Sequence, residues 1–376
     1  MAFYDQDGED VTNVYMTTEM LDNFVGTGLW SCGYNTMGQL GQGDRTHRSS
    51  PVQVGTLTNW KSVTGGQYHT LAIKTDGTLW SCGYNGQGQL GLGDRTHRSS
   101  PVQVGSLTNW KSVASGYSHT VAIKTDGTLW SFGRNGDGQL GQGDRTHRSS
   151  PVQVGSLTNW KSVASGYYHT VAIKTDGTLW SFGNNGQGQL GQNDIVPRSS
   201  PVQVGSLTNW KSVASGFQHT VAIKTDGTLW SCGYNGDGRL GLGDIVHRSS
   251  PVQVGSLTNW KSVASGFQHT VAIKTGDTLW SFGRNGQGQL GQGDITDRSS
   301  PVQVGSLTNW KSVASGYYHT VAIKTDGTLW SFGYNAIGQL GQGDIVPRSS
   351  PVQVGSLTNW KSVAGCYHHT VALQNS

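Results

Sequence analysis

The chain has 376 residues with a formal net charge of +4; 13% are charged, 56 are Gly and 14 are Trp. So few charges beside 34% hydrophobic residues exclude a charge-rich disordered chain, and abundant Gly with few long aliphatics favours short strands and tight turns over helices. With no apolar run long enough for a membrane span and no signal peptide, a soluble protein is expected, cytoplasmic or virion-associated.

Residues 1–25 stand apart. They hold six acids (Asp5, Asp7, Glu9, Asp10, Glu19, Asp22) and no Lys or Arg, so the charge rises to +10 on the remainder. The run VTNVYMTTEMLDNFV predicts a short helix capped by Thr17 or Thr18, with Met20, Leu21 and Phe24 as its apolar stripe. Such a segment does not fold alone; it packs on the rest of the chain or docks it to something else.

Residues 26–376 repeat every fifty positions without a gap. Trp60, Trp110, Trp160, Trp210, Trp260, Trp310 and Trp360 share one column, and Trp30, Trp80, Trp130, Trp180, Trp230, Trp280 and Trp330 another. A fixed period of this length means one domain of supersecondary units that bury their apolar faces against their neighbours. In the unit around residue 130, strands are predicted over 111–115, 119–125, 128–133 and 152–154. Asp126-Gly127 is a hairpin turn, and Pro151 suits an outer edge. The last row stops after its second strand, whereas the first supplies only a third (28–33) and a fourth (52–54). The two ends therefore complete one blade between them, and an all-β, seven-bladed β-propeller of four-stranded antiparallel blades is expected.

Gly86-Gln87-Gly88-Gln89-Leu90-Gly91 matches the dinucleotide-loop pattern G-x-G-x-x-G. That loop requires a helix after its last glycine to hold a pyrophosphate. Here the turn-rich LGDRTHRSSP follows, and the stretch recurs at Asn135, Asn185, Asn235 and Asn285 and, without its first glycine, at Asn35 and Asn335, so the glycines read as turn geometry. Seven near-equal copies of each polar residue likewise argue against a single active site, and no enzyme, cofactor or metal is expected.

The run over residues 166–191, GYYHTVAIKTDGTLWSFGNNGQGQLG, resembles the repeat of the regulator of chromosome condensation family, and a bacterial or phage-type member with near-identical repeats is suggested. The resemblance covers 26–376 and implies a seven-bladed propeller. Its relatives include an exchange factor for a small GTPase. That role implies insertions and acidic residues breaking the repeat, and a basic tail; here every row keeps fifty residues and the tail is acidic. The short preamble is similar to those on phage structural proteins with these repeats.

Differences between rows carry the functional reading. The two residues before the repeated His vary as Gln67-Tyr68, Tyr117-Ser118, Tyr167-Tyr168, Phe217-Gln218, Phe267-Gln268, Tyr317-Tyr318 and Tyr367-His368. The residue before the repeated Asn varies as Tyr34, Tyr84, Arg134, Asn184, Tyr234, Arg284 and Tyr334, and a third patch runs Arg45-Thr46-His47 to Ile295-Thr296-Asp297. In an up-and-down blade these connections share one face of the disc, and the nearly invariant TDGT turns and GSLTNW crossovers share the other. Aromatic, Arg and amide side chains on loops of a rigid scaffold suit recognition. The expectation is a non-enzymatic monomer binding a protein through this face, with no nucleic acid or membrane partner. The alternatives are a carbohydrate-binding (lectin-like) propeller and a structural or virion-decorating module. The axial column Tyr117, Tyr167, Phe217, Phe267, Tyr317 and Tyr367 is expected around one mouth of the channel.

Among the remaining groups, His69, His119, His169, His219, His269, His319 and His369 are expected to fix loops by bonding backbone, and His47, His97, His147 and His247 to be solvated. Lys61, Lys74 and Arg98 read as a solvated background, and Cys32, Cys82, Cys232 and Cys366 as free thiols, the first three filling a column that elsewhere holds Phe.

Overall fold

The structure, a computed structural model, describes residues 26–376; the helix expected over 17–24 lies outside the described residues. Seven four-stranded antiparallel sheets are arranged around one axis. A representative blade comprises Trp110–Ser115, His119–Lys124, Leu129–Gly133 and Arg148–Gln153, from the axis outward. The seventh blade joins Trp360–Gly365 and His369–Asn375 to Thr27–Gly33 and Arg48–Gln53. Its closing pair is in the register of an ordinary hairpin: Leu29 faces Leu373 and Trp30 faces Ala372, as Leu179 faces Ile173 and Trp180 faces Ala172 within an unbroken blade. Closure leaves no end sheet unpaired.

The fourth strand starts four residues earlier than expected, at Arg148, because pairing with the third strand resumes there beyond a bulge. Gly133 faces Arg148 and Ser131 faces Val152, and Pro151 sits in the stretch between, where its missing N–H goes unused. Gly133 (φ 102°) makes the bulge possible: a Cβ there would lie 2.6 Å from the Ser118 carbonyl oxygen.

The core lies between blades. Val121, Ile123, Leu129 and Val154 of one sheet pack on Trp160, Ala172 and Phe182 of the next, all nearly inaccessible. Alternation in each strand sends one set of side chains to each neighbouring sheet. The second Trp column meets the first edge-on, Trp160 and Trp180 being 6.0 Å apart at 80°. Lys174 enters this joint with Nζ 3.6 Å from the Trp180 ring and 5.0 Å from the Trp160 ring. This corrects the reading of that lysine column as solvated: Lys74 and Lys174 are 5–6% exposed, and only the Lys61 column faces water. Desolvation lowers the Lys174 pKa, opposed by Asp176, and the two indole faces take the place of water around the ammonium. Arg98 is not free either; it pairs with Asp94 at 2.5 Å.

The cysteines are free and buried, as expected. Among the described residues, no group of three or more His, Cys, Asp or Glu is placed to hold a metal ion, and no helix is long and apolar enough to cross a membrane.

Candidate functional site: the variable face

The G-x-G-x-x-G stretch is a pair of turns leading into the long third-to-fourth-strand loop. Gly138 and Gly141 take φ of 81° and 69°, and the Gly138 and Gly141 N–H groups donate to Asn135 and Gly138 carbonyls. The loop is organised by Asn135, fully buried, whose Oδ1 accepts the Leu140 N–H (2.9 Å) and whose Nδ2 donates to the Asp144 carbonyl and carboxylate. Asp144 in turn pairs with Arg148 at 2.5 Å. The backbone N–H of Thr146 and the Arg148 guanidinium hold the Asp144 carboxyl below its ordinary value. This network recurs in every blade, so seven loops of identical frame present differing tips.

The first-to-second-strand connections form a closed hoop at the axis. The N–H of each axial residue donates to a carbonyl of the next blade: Tyr117 to Tyr167 (3.4 Å), Tyr167 to Gly216 (3.2 Å), Phe217 to Phe267 (3.3 Å), and so on to Gln67, which returns to Tyr117 (3.3 Å). The six axial rings lie over this hoop, as the sequence led us to expect, but they pack on one another. Centroid separations are 3.8 Å for Tyr117–Tyr167, 4.0 Å for Phe217–Phe267 and 4.0 Å for Tyr317–Tyr367. Gln67 takes the seventh place, 7% exposed. The rings thus floor the channel mouth and are half-buried. Burial raises the Tyr167 pKa, and pushes Tyr317 to about 12.

Around this floor stands the second shell of expected site residues, and the structure brings it together. Tyr34 lies 5.7 Å from Tyr68 and Tyr334 lies 6.5 Å from Tyr318. Arg134 caps Tyr168 at 4.6 Å, and Arg284 approaches Tyr318 at 5.9 Å. Asn184 donates to Asp137 Oδ1 at 3.0 Å. The invariant elements meet at the opposite face: the Trp160 N–H donates to Gly127, and the Thr125 N–H to Asn109, so hairpin turns and crossovers touch one another.

Two groups of histidines differ from expectation. The buried ones bond side chains of the next blade instead of backbone: His119 Nε2 lies 3.1 Å from Thr170 Oγ1, and His369 Nε2 lies 3.0 Å from Thr70 Oγ1, completing the circuit. Because Thr170 Oγ1 donates to the Gln139 carbonyl (2.9 Å), it accepts from the imidazole, so Nε2 carries the proton. Among the described residues, the Nδ1 atoms of all seven are buried without a partner. The outer ones are not simply solvated: His47 Nδ1 accepts the Asn35 N–H (2.9 Å) while its ring stacks on Tyr34 at 4.8 Å, and His97, His147 and His247 repeat the bond. Position in a column gave no hint of either arrangement, because both depend on which residue the adjoining loop or blade supplies.

Profiles of known families match this chain. That of the RCC1-like domain covers residues 161–376, and those of the regulator of chromosome condensation (RCC1) repeat cover 28–73, 76–123 and 126–173, and in a second form 60–89 and 110–139. No curated protein matches it in sequence. Similar solved structures include yeast RCC1 (Prp20) bound to Kap60, with TM-score 0.85, 22% identity and coverage of 94% of this chain and 90% of that one. Prp20p from Saccharomyces cerevisiae, studied for its binding to Gsp1p and histones, gives 0.84, 21%, 94% and 92%. Human WBSCR16 gives 0.83, 21%, 93% and 99%.

Proposed function

This chain belongs to the RCC1 repeat family, and from that membership we propose that it is a non-enzymatic binding or scaffold propeller that presents its variable face to a protein partner. One observation carries the reading: most differences between the near-identical blades fall on the loops of one face, while the turns and crossovers of the other stay nearly constant. The family's structures lend support. Yeast RCC1 has been solved with Kap60 bound, and Prp20p has been tested against Gsp1p and histones, all of them proteins. The packing of the axial rings also favours a protein over a sugar. Carbohydrate recognition uses free aromatic faces, and Tyr117, Tyr167, Phe217, Phe267, Tyr317 and Tyr367 spend theirs largely on one another.

Because those rings also hold the hoop together, the outer shell gives the cleaner test. In affinity capture, Tyr84→Ala with Tyr234→Ala and Tyr334→Ala should release the partner, since interface aromatics commonly contribute about 2 kcal/mol each. Leu107→Ala with Thr108→Ala on the constant face should retain it. A glycan array run in parallel addresses the carbohydrate alternative. Retention by the first variant and loss by the second would overturn the assignment.

A further inference from the structure

The rim of the variable face is divided into two sectors. In the three consecutive blades that include the closing one, the residue after the loop Asp is Arg45, Arg95 or Arg145; in the other four it is Ile195, Ile245, Ile295 or Ile345. The isoleucines are 61–66% exposed. The three arginines are exposed too, and among the described residues none forms an ion pair, whereas the Asp beside each is already matched by Arg48, Arg98 or Arg148. Among the described residues, unpaired positive charge is therefore gathered on one arc.

Within that same arc the inner wall of side chains is broken. The position before the buried His holds Tyr, Gln or His in six blades and Ser118 in the seventh. Where that bulk is missing, a cleft of about 490 Å³ opens, walled by Tyr68, Tyr84, Tyr117, Met37, Arg134 and His147. Among the described residues, no Asp or Glu lines it. Its His147 Nδ1 accepts the Asn135 N–H (3.0 Å), which leaves the ring proton on Nε2 as a donor. Arg134 lines the cleft, and burial first, then the charges of Arg95 and Arg134, holds His147 below its ordinary value. Arg134 is shared with Asp137 at 3.4 Å, so the net charge comes from Arg95 and its neighbours on the rim.

Ring faces and a thioether line this space, N–H and O–H donors surround it, and cations flank it. We infer that the cleft at Ser118 takes an acidic peptide segment of the protein partner, its carboxylates meeting Arg95 and Arg134 and an apolar side chain filling the space that Ser118 leaves. The inference rests on the variable-face reading and narrows it to one sector. A nucleic acid fits less well. Phosphate backbones are held by many regularly placed cations, whereas this arc offers three unpaired ones among the described residues, Arg45, Arg95 and Arg145.

The test is fluorescence anisotropy with a labelled Glu-rich peptide carrying one Phe, its Lys-rich counterpart and a short oligo-dT. The acidic peptide alone should bind, more weakly as salt is raised. Ser118→Tyr should weaken it at least about tenfold and Arg95→Ala about fivefold, sizes ordinary for a blocked pocket and a lost charge pair. Lys161→Ala on the constant face should change nothing. Ser118→Tyr installs the residue that three sister blades carry as Tyr68, Tyr168 and Tyr318, so the fold is expected to accept it, and an unchanged melting curve verifies this. Absence of binding, equal binding of the Lys-rich peptide or oligo-dT, or indifference to Ser118→Tyr would each overturn the inference. Partner capture that survives Ser118→Tyr but fails with the Tyr84, Tyr234 and Tyr334 variants would overturn the cleft alone and leave the binding face standing.

Discussion

Acid should unfold this propeller through its ring of buried histidines. All seven are inaccessible, bonded at Nε2 to the next blade and unpartnered at Nδ1. Burial lowers the pKa of His69, His119, His169, His269 and His319 to about 3, and that of His219 and His369 well below the ordinary value of 6.5. The folded state therefore binds fewer protons than the unfolded state between about pH 3 and 6.5. Stability is full above that range and falls as pH drops through it. At pH 5 each group with a folded value near 3 and an unfolded value of 6.5 removes about 2 kcal/mol. Summed over the ring, the loss is on the order of 10 kcal/mol, comparable to the whole stability of an ordinary domain at about 5–15 kcal/mol. The carboxylates held low by their loops contribute only at more acidic pH. Urea melts followed by tryptophan fluorescence should show the midpoint collapsing between pH 7 and 5. His119→Gln, which keeps a donor for Thr170 but cannot be protonated, should make the pH dependence shallower. A midpoint unchanged from pH 7 to 5 would refute the reasoning.

Two further outcomes probe places where one blade departs from its sisters. Gly65 and Gly365 stand where five blades have Ser, and a Cβ on Gly65 would lie 2.3 Å from Cys366 Sγ, itself in a column of glycines. Gly65→Ser should therefore destabilise by about 1–3 kcal/mol through overpacking, and adding Cys366→Gly should restore most of it; additive losses in denaturant melts would contradict the coupling. At the turn Gly276-Asp277 the usual order is reversed, Asp277 adopts φ 55°, and the bonds that Asp126 accepts from the Thr128 N–H and Oγ1 have no counterpart. Gly276→Asp with Asp277→Gly should stabilise by about 1 kcal/mol, the relieved left-handed residue and regained bonds outweighing the surface pair of Asp277 with Lys261; a lower urea midpoint would count against it.

What was legible in the sequence is what a fixed period and local turn chemistry record. The two Trp columns and Asp126-Gly127 gave the blades, and the unequal first and last rows gave the closure that the pairing of Leu29 with Leu373 bears out. The concentration of differences in certain loops led to the candidate face, and those loops do lie together. Interactions between blades were not legible. Lys174 looks like any surface lysine until the indoles of Trp160 and Trp180 enclose it, and the hydroxyl that receives the His119 proton donor is 51 residues away. Ser118 reads as one more variable residue; only the surrounding Tyr68, Tyr84 and Tyr117 make its small size a cleft.

The central claim, that the variable face does the binding, is met most directly by hydroxyl-radical footprinting of the captured complex against the free protein. Tyr84, Tyr234 and the exposed rim residue Ile245 report on one face, and the exposed crossover residues Leu107, Leu207 and Leu307 on the other. Both sets are oxidisable, so the comparison is internal to one sample. The account predicts protection of the first set with the leucines unchanged. Protection of the leucines with Tyr84, Tyr234 and Ile245 left open would contradict it.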